Sequence, residues 1–140
     1  MVEKTEEWLG AEAERDGRPL VVRARRFFRE PVADPSLPFL FVVELQYEPF
    51  DDVGLPGDSQ YEVISKFERD VFDLIESKGI LNLVFVETNA GSIRYYSYVS
   101  DIEVVSSKID EMADEALILS FSADEDPEWN EYRKRMDRVS

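Results

Sequence analysis

Residues 80–101, "ILNLVFVETNAGSIRYYSYVSD", read as two strands folded back about a turn at Ala90-Gly91. Closing that turn sets Glu87 against Arg94, Phe85 against Tyr96 and Leu83 against Tyr98, so that opposite charges and aromatic rings face one another. A helical pattern flanks the hairpin on each side. Upstream, "SQYEVISKFERDVFDLIESKG" (59–79) spaces Ile64, Phe67, Val71 and Leu74 about a turn apart, an apolar stripe with Glu68, Arg69 and Asp73 left to face water. Ser59 and Glu62 have capping-box spacing, and Gly79 suits the stop. Downstream, Ser100 and Glu103 repeat that spacing before a second stripe of Ile102, Val105, Ile109 and Met112.

Working outward, "FLFVVELQY" (39–47) alternates Phe39, Phe41, Val43, Leu45 and Tyr47 on one face, and "ALILSF" (116–121) reads as a further strand. Residues 37–122 thus run β-α-β-β-α-β, which predicts a ferredoxin-like split β-α-β core. Ahead of it, residues 1–30 form an N-terminal hairpin pivoting on Asp16-Gly17. Its register pairs Ala13 with Leu20, Ala11 with Val22 and Leu9 with Ala24, and sets Trp8 beside Arg25. Residues 126–138 complete the chain as a C-terminal helix. The fold class is α+β, with residues 1–140 as a single domain in the element order β-β-β-α-β-β-α-β-α.

Composition bounds the chemistry. Hydrophobic residues make up 44% of the chain, as in a globular protein. The opening "MVEKTEEWLG" has no apolar signal core, no segment has the apolar length of a membrane span, and there is no cysteine, so a cytoplasmic protein without disulfides is expected. Without His or Cys the common zinc sites and the Ser-His-Asp and Cys-His nucleophiles are ruled out. Acid–base work would fall to Asp, Glu, Lys or Tyr. The acidic stretches "DDVGLPGD" (51–58) and "SADEDPE" (122–128) lack the ligand spacing of a calcium loop, and "GLPGD" lacks the Lys-Ser/Thr of a phosphate loop. No cofactor, metal or catalytic residue is assigned.

The net charge of −15 repels phosphate backbones and anionic lipid, and favours a basic protein surface as partner. The tyrosines of "IRYYSY" (93–98) could in principle stack bases from such a sheet, but the basic and glycine pattern of an RNA-recognition strand is missing. In the tail "DPEWNEYRKRM" (126–136), Asp126 suits an N-cap and Pro127 the first helical position. Trp129, Tyr132 and Met136 then share one helix face. The nearest apolar surface for that face is the protein's own. The alternative is a hook for a partner, in which Asp124, Glu125, Asp126, Glu128 and Glu131 steer association and Trp129 supplies contact area.

Several of these pieces together carry a resemblance. Trp8, "DGRPLVV" (16–22), "VGLPG" (53–57), Glu68 inside the long helix, "ETNAGSIRYYSYVSD" (87–101) and "DPEWNEY" (126–132) resemble the bacterial domain-of-unknown-function 695 family over nearly the whole length. The tail and the α+β arrangement are more distantly similar to the regulator of ribonuclease E activity B, an acidic inhibitor of an RNA-processing enzyme. The family has no recognised catalytic residues, so the resemblance implies kinship without a mechanism. The expectation is an acidic regulatory or protein-interaction domain for a basic partner, with an immunity-type inhibitor of a basic toxin as a specific form. The rival is a small enzyme using Asp, Glu or Tyr in a pocket.

Overall fold

The computed structural model describes residues 6–49 and 51–139. The first five residues of the N-terminal segment, Phe50 in the loop before the long helix, and Ser140 lie outside the described residues. Strands β1 (Glu6–Arg15), β2 (Arg18–Phe27) and β3 (Phe39–Gln46) lead into helix α1 (Asp58–Phe67). A π-helical turn (Glu68–Asp73) joins α1 to α2 (Leu74–Ser77). Then come β4 (Leu81–Asn89), β5 (Ser92–Val99), α3 (Ile102–Met112), β6 (Ile118–Glu125) and α4 (Asn130–Val139). This is a mixed α+β fold, and the element order is the one the sequence predicts.

The strands make one six-stranded sheet in the order β1-β2-β4-β5-β3-β6. Every neighbouring pair is antiparallel. It is not a simple split β-α-β unit, because the N-terminal hairpin continues it beyond β4. Asp16 and Gly17 have φ of 53° and 78°, the left-handed pair that a tight I′ turn demands, and the β1–β2 register is the predicted one.

The β4–β5 hairpin begins as predicted, with Glu87 opposite Arg94 and Phe85 opposite Tyr96. Beyond that the register shifts at a bulge between Leu83 and Phe85, so Leu83 faces Ser97 and Asn82 faces Tyr98. The expected Leu83–Tyr98 pair is therefore corrected. The bulge puts the consecutive residues Val84 and Phe85 on the same side of the sheet, while Leu83 and Val86 serve the other.

Both faces of the sheet are covered. On one, Phe41, Val43, Leu45, Tyr95 and Val99 pack under α1, α2 and α3. On the other, Leu20, Ala24, Phe85 and Tyr98 pack beneath Trp129 and Tyr132. Strand β6 is displaced from its expected span of 116–121. Ala116 and Leu117 are spent on a turn closed onto Asp114, and pairing with β3 carries the strand on to Glu125.

The helix starts also differ from their reading. At α1 the Gln60 side chain accepts from the Gly57 N–H (3.2 Å), two residues earlier than the Ser59–Glu62 box. At α3 the Asp101 carboxylate accepts from the Val104 N–H (3.0 Å), so Asp101 rather than Ser100 is the cap.

The larger departure lies inside the long helix. The π-helical turn inserts about one extra residue into the rod and rotates everything after it. Phe72 and Ile75 become core, 1% and 0% exposed, while Leu74, expected on the apolar stripe, is 48% exposed. The two positions separate the readings. Phe72→Ala should cost about 3–5 kcal/mol and Leu74→Ala less than about 1 kcal/mol by denaturant unfolding. Equal losses at both sites would mean the rod is an uninterrupted α-helix.

Candidate functional site

The tail that the sequence singled out divides into a buried anchor and an exposed fringe. Asp126 ends β6, its N–H bonded to the Pro38 carbonyl. Its carboxylate accepts from the backbone N–H groups of Asn130 (2.9 Å) and Glu131 (3.0 Å) and from the Tyr98 hydroxyl (2.7 Å). The helix therefore starts at Asn130, not at Pro127, and Asp126 caps it from across a turn. Within that turn Trp129 takes the left-handed conformation, φ 57°, which a bulky residue adopts only when its surroundings impose it.

Those surroundings are the second core. The indole stacks on Tyr98 with ring centres 4.4 Å apart and planes 8° from parallel. Its Nε1–H donates to the Leu37 carbonyl (3.0 Å), and Phe27 meets it edge-on. Trp129 is 0% exposed and Tyr132 4%. The self-docking reading describes this stripe. The place given to Trp129 among partner contacts is corrected, because no part of the side chain reaches the surface. The carboxylates around it have different fates. Asp126 is engaged as above, and Glu131 pairs with Arg135 (2.8 Å). Asp124, Glu125 and Glu128 stay exposed, and none has a cationic partner among the described residues.

Elsewhere several arginines are paired within the chain. Glu68, expected to face water, is turned by the π-helical segment toward the sheet. There it accepts from Arg23 (2.6 Å) and from the Tyr95 hydroxyl (3.0 Å). Sequence periodicity missed it because an i→i+5 turn leaves no distinct residue signature. Arg25, 8% exposed, pairs with Glu76 (2.7 Å) and Glu6 (2.8 Å) and lies 5.3 Å from the Trp8 ring centre, the cation–π neighbour the register implied.

Arg25 also donates to the Leu83 carbonyl (3.0 Å), while the Leu83 N–H donates to Glu76 (3.0 Å). The pair thus satisfies backbone groups at the bulge. On the opposite face Glu87, 7% exposed, accepts from Arg135, from Arg15 (3.4 Å) and from the Tyr96 hydroxyl (3.3 Å). Arg135 lies over the Tyr96 ring at 4.0 Å. Glu87 and Tyr96 are an acid beside a phenol, but both carboxylate oxygens are taken, Oε1 by Arg135 of α4 and Oε2 by Arg15 and Tyr96 of the sheet.

Glycine in "VGLPG" has a structural reason. Gly54 has φ 92°, and a Cβ there would meet the Ala90 backbone at 2.9 Å where the loop crosses the β4–β5 turn. A groove of about 520 Å³ opens beside this loop, between α1 and the start of β6, lined by Leu45, Tyr47, Val63, Ile64, Leu117 and Ile118. Among the described residues no group of three or more acidic side chains is gathered as metal ligands, and no helix is long and apolar enough to cross a membrane.

The fold and these surfaces define an acidic α+β domain with a core on each face of its sheet and exposed carboxylates at the C-terminal end of β6. The chain belongs to the family of unknown function DUF695, whose family model matches residues 6–135. No curated protein and no solved structure matches it.

The buried phenols give this architecture a pH signature. Burial, reinforced by the charge and hydrogen bond of Glu68, pushes the Tyr95 hydroxyl well above the usual tyrosine range. Burial and the bond to Asp126 push Tyr98 up as well. Burial would also raise Asp126, but the Tyr98 hydroxyl and the amides of Glu131 and Asn130 outweigh it and hold that carboxyl low. A phenol whose folded pKa is raised stabilises fully below its unfolded value, about 10, and that stability is lost as pH rises above it. Stability should therefore fall above about pH 10, with Tyr95 and Tyr98 ionising only as the protein unfolds. Tyrosinate absorbance followed alongside circular dichroism checks this. Reversible ionisation of both phenols near pH 10 with the fold intact would contradict it.

Proposed function

We propose that this protein is a non-catalytic, cytoplasmic interaction module that engages a basic protein surface through the acidic end of β6 and the turn into α4. The observation that carries this reading is the distribution of cations. Arg15, Arg23, Arg25, Arg94 and Arg135 pair with carboxylates of this same chain, whereas Asp124, Glu125 and Glu128 project close together without a cationic partner among the described residues. An exposed cluster of one sign steers encounter with the opposite sign and fixes its orientation. Trp129 serves this site indirectly, by holding the turn that presents Glu128.

The same reading takes residues 37–122 as a ferredoxin-like core within one domain. Support comes from the sub-order β4-β5-β3-β6, antiparallel throughout, with α1 and α3 on the same face. The distant resemblance to an acidic inhibitor of an RNA-processing enzyme points the same way, as does the idea of an immunity-type mask for a basic toxin. Both are instances of one acidic surface covering a basic one.

Affinity capture on the purified protein at near-physiological salt tests the proposal. A single basic protein should be retained by the wild type and lost with Asp124→Asn, Glu125→Gln and Glu128→Gln combined. Retention of many unrelated basic proteins, only at low salt and regardless of those substitutions, would reduce the charge to a solubility device.

A further inference from the structure

We infer that the free edge of β6 is a strand-addition site for an extended segment that is basic at one end and apolar at the other. This inference rests on the proposed basic partner and names how that partner docks. In an antiparallel ladder every second residue turns its N–H and C=O away from its neighbour. Among the described residues strand β6 pairs with β3 alone, in an unbroken register from Ile118–Gln46 to Glu125–Phe39, so its outer edge presents a straight row of backbone donors and acceptors.

The two edges of the sheet are treated differently. Exposed edges are ordinarily blunted by charge, proline or a bulge. The opposite edge, β1, carries Glu6, Glu7, Glu12, Glu14 and Arg15 along its length. Strand β6 has no bulge, proline or lysine, and its first five residues, Ile118 to Ser122, carry no charge. Ile118 is 63% exposed, and the whole strand is exposed or half-exposed.

The strand's two ends identify the occupant. At its C-terminal end stand Asp124 and Glu125, with Glu128 beyond. At its N-terminal end Ile118 borders the apolar groove between Val63, Ile64 and Leu117. A segment added antiparallel would set Lys or Arg near its own N-terminus against the carboxylates and an aliphatic residue near its C-terminus into the groove. A second copy of this chain does not fit. Self-pairing would bring two molecules of net charge −15 together and match each acidic end with an apolar one.

The test uses the full chain and the synthetic peptide Lys-Arg-Lys-Thr-Val-Thr-Val-Thr-Val-Leu-amide. Three measurements are made: fluorescence anisotropy, backbone hydrogen exchange, and the same titration with a peptide N-methylated at alternate residues. Saturable binding should slow exchange at alternate amides of Ile118–Glu125, and N-methylation should weaken it at least about tenfold with the charge unchanged. Asp124→Asn with Glu125→Gln should also weaken it.

Equal binding of the methylated peptide, or protection at β1 instead of β6, would overturn edge pairing. So would no binding at all by a protein that still captures a basic partner, which leaves the proposed function standing with its contact elsewhere. Conversely, edge pairing that survives Asp124→Asn and Glu125→Gln undiminished would overturn the basic-end requirement.

Discussion

The joint between the N-terminal hairpin and the rest of the sheet depends on the bulge in β4. Strand β2 pairs with β4 only over Val21–Ala24, against Phe85–Thr88, which is the part of β4 beyond the bulge. The next residue, Arg25, meets the bulge itself and, with Glu76 from α2, satisfies the carbonyl and N–H of Leu83. A break in the ladder would otherwise bury unpaired backbone groups, at a cost of about 1–3 kcal/mol each. One ion pair therefore joins β2, the bulge and the helical rod. Placing Val84 and Phe85 on the same side is also what gives β4 enough apolar surface for a second core.

That second core explains why a charged tail holds two aromatic residues. A sheet apolar on both faces needs a layer on each. The long rod and α3 form one layer, and the other is supplied by Trp129, Tyr132 and the loop around Leu37. The Tyr98 hydroxyl links the parts: it donates to Asp126 and lies within 3.3 Å of the Tyr132 N–H, while its ring stacks on Trp129. Strain at Trp129 is held in place by this packing. Glu128 sits on the turn that this packing holds, and Asp124 and Glu125 on the end of β6 that leads into it.

The polar interior has a common logic. Glu68, Glu76 and Glu87 each hold arginine from another element, and two of them also receive a tyrosine hydroxyl. Such groups are costly to bury unless fully paired. Pairing buries Arg25, whereas Arg23 stays exposed beside Glu68. The acid and phenol of Glu87 and Tyr96 are occupied with each other and with arginine.

What the sequence by itself determined is local. Asp16-Gly17 and Ala90-Gly91 set their turns because only a few residues accept positive φ there, and the turns in turn set the hairpin registers. Alternation along 39–47 determined which face of β3 is buried, and the spacing of Val105 and Ile109 did the same for α3. The carboxylates of the candidate surface were legible as a cluster, since charge is visible without a fold. Tertiary structure decided the rest. The π-helical turn, the bulge at Val84, the inward turn of Glu68 and the burial of Trp129 each sacrifice a regular backbone bond or a relaxed φ for contacts with residues distant in the chain. No window of sequence contains both sides of that exchange. The free edge of β6 likewise exists only once β3 has been taken between β5 and β6, because an edge is a property of strand order and not of a strand.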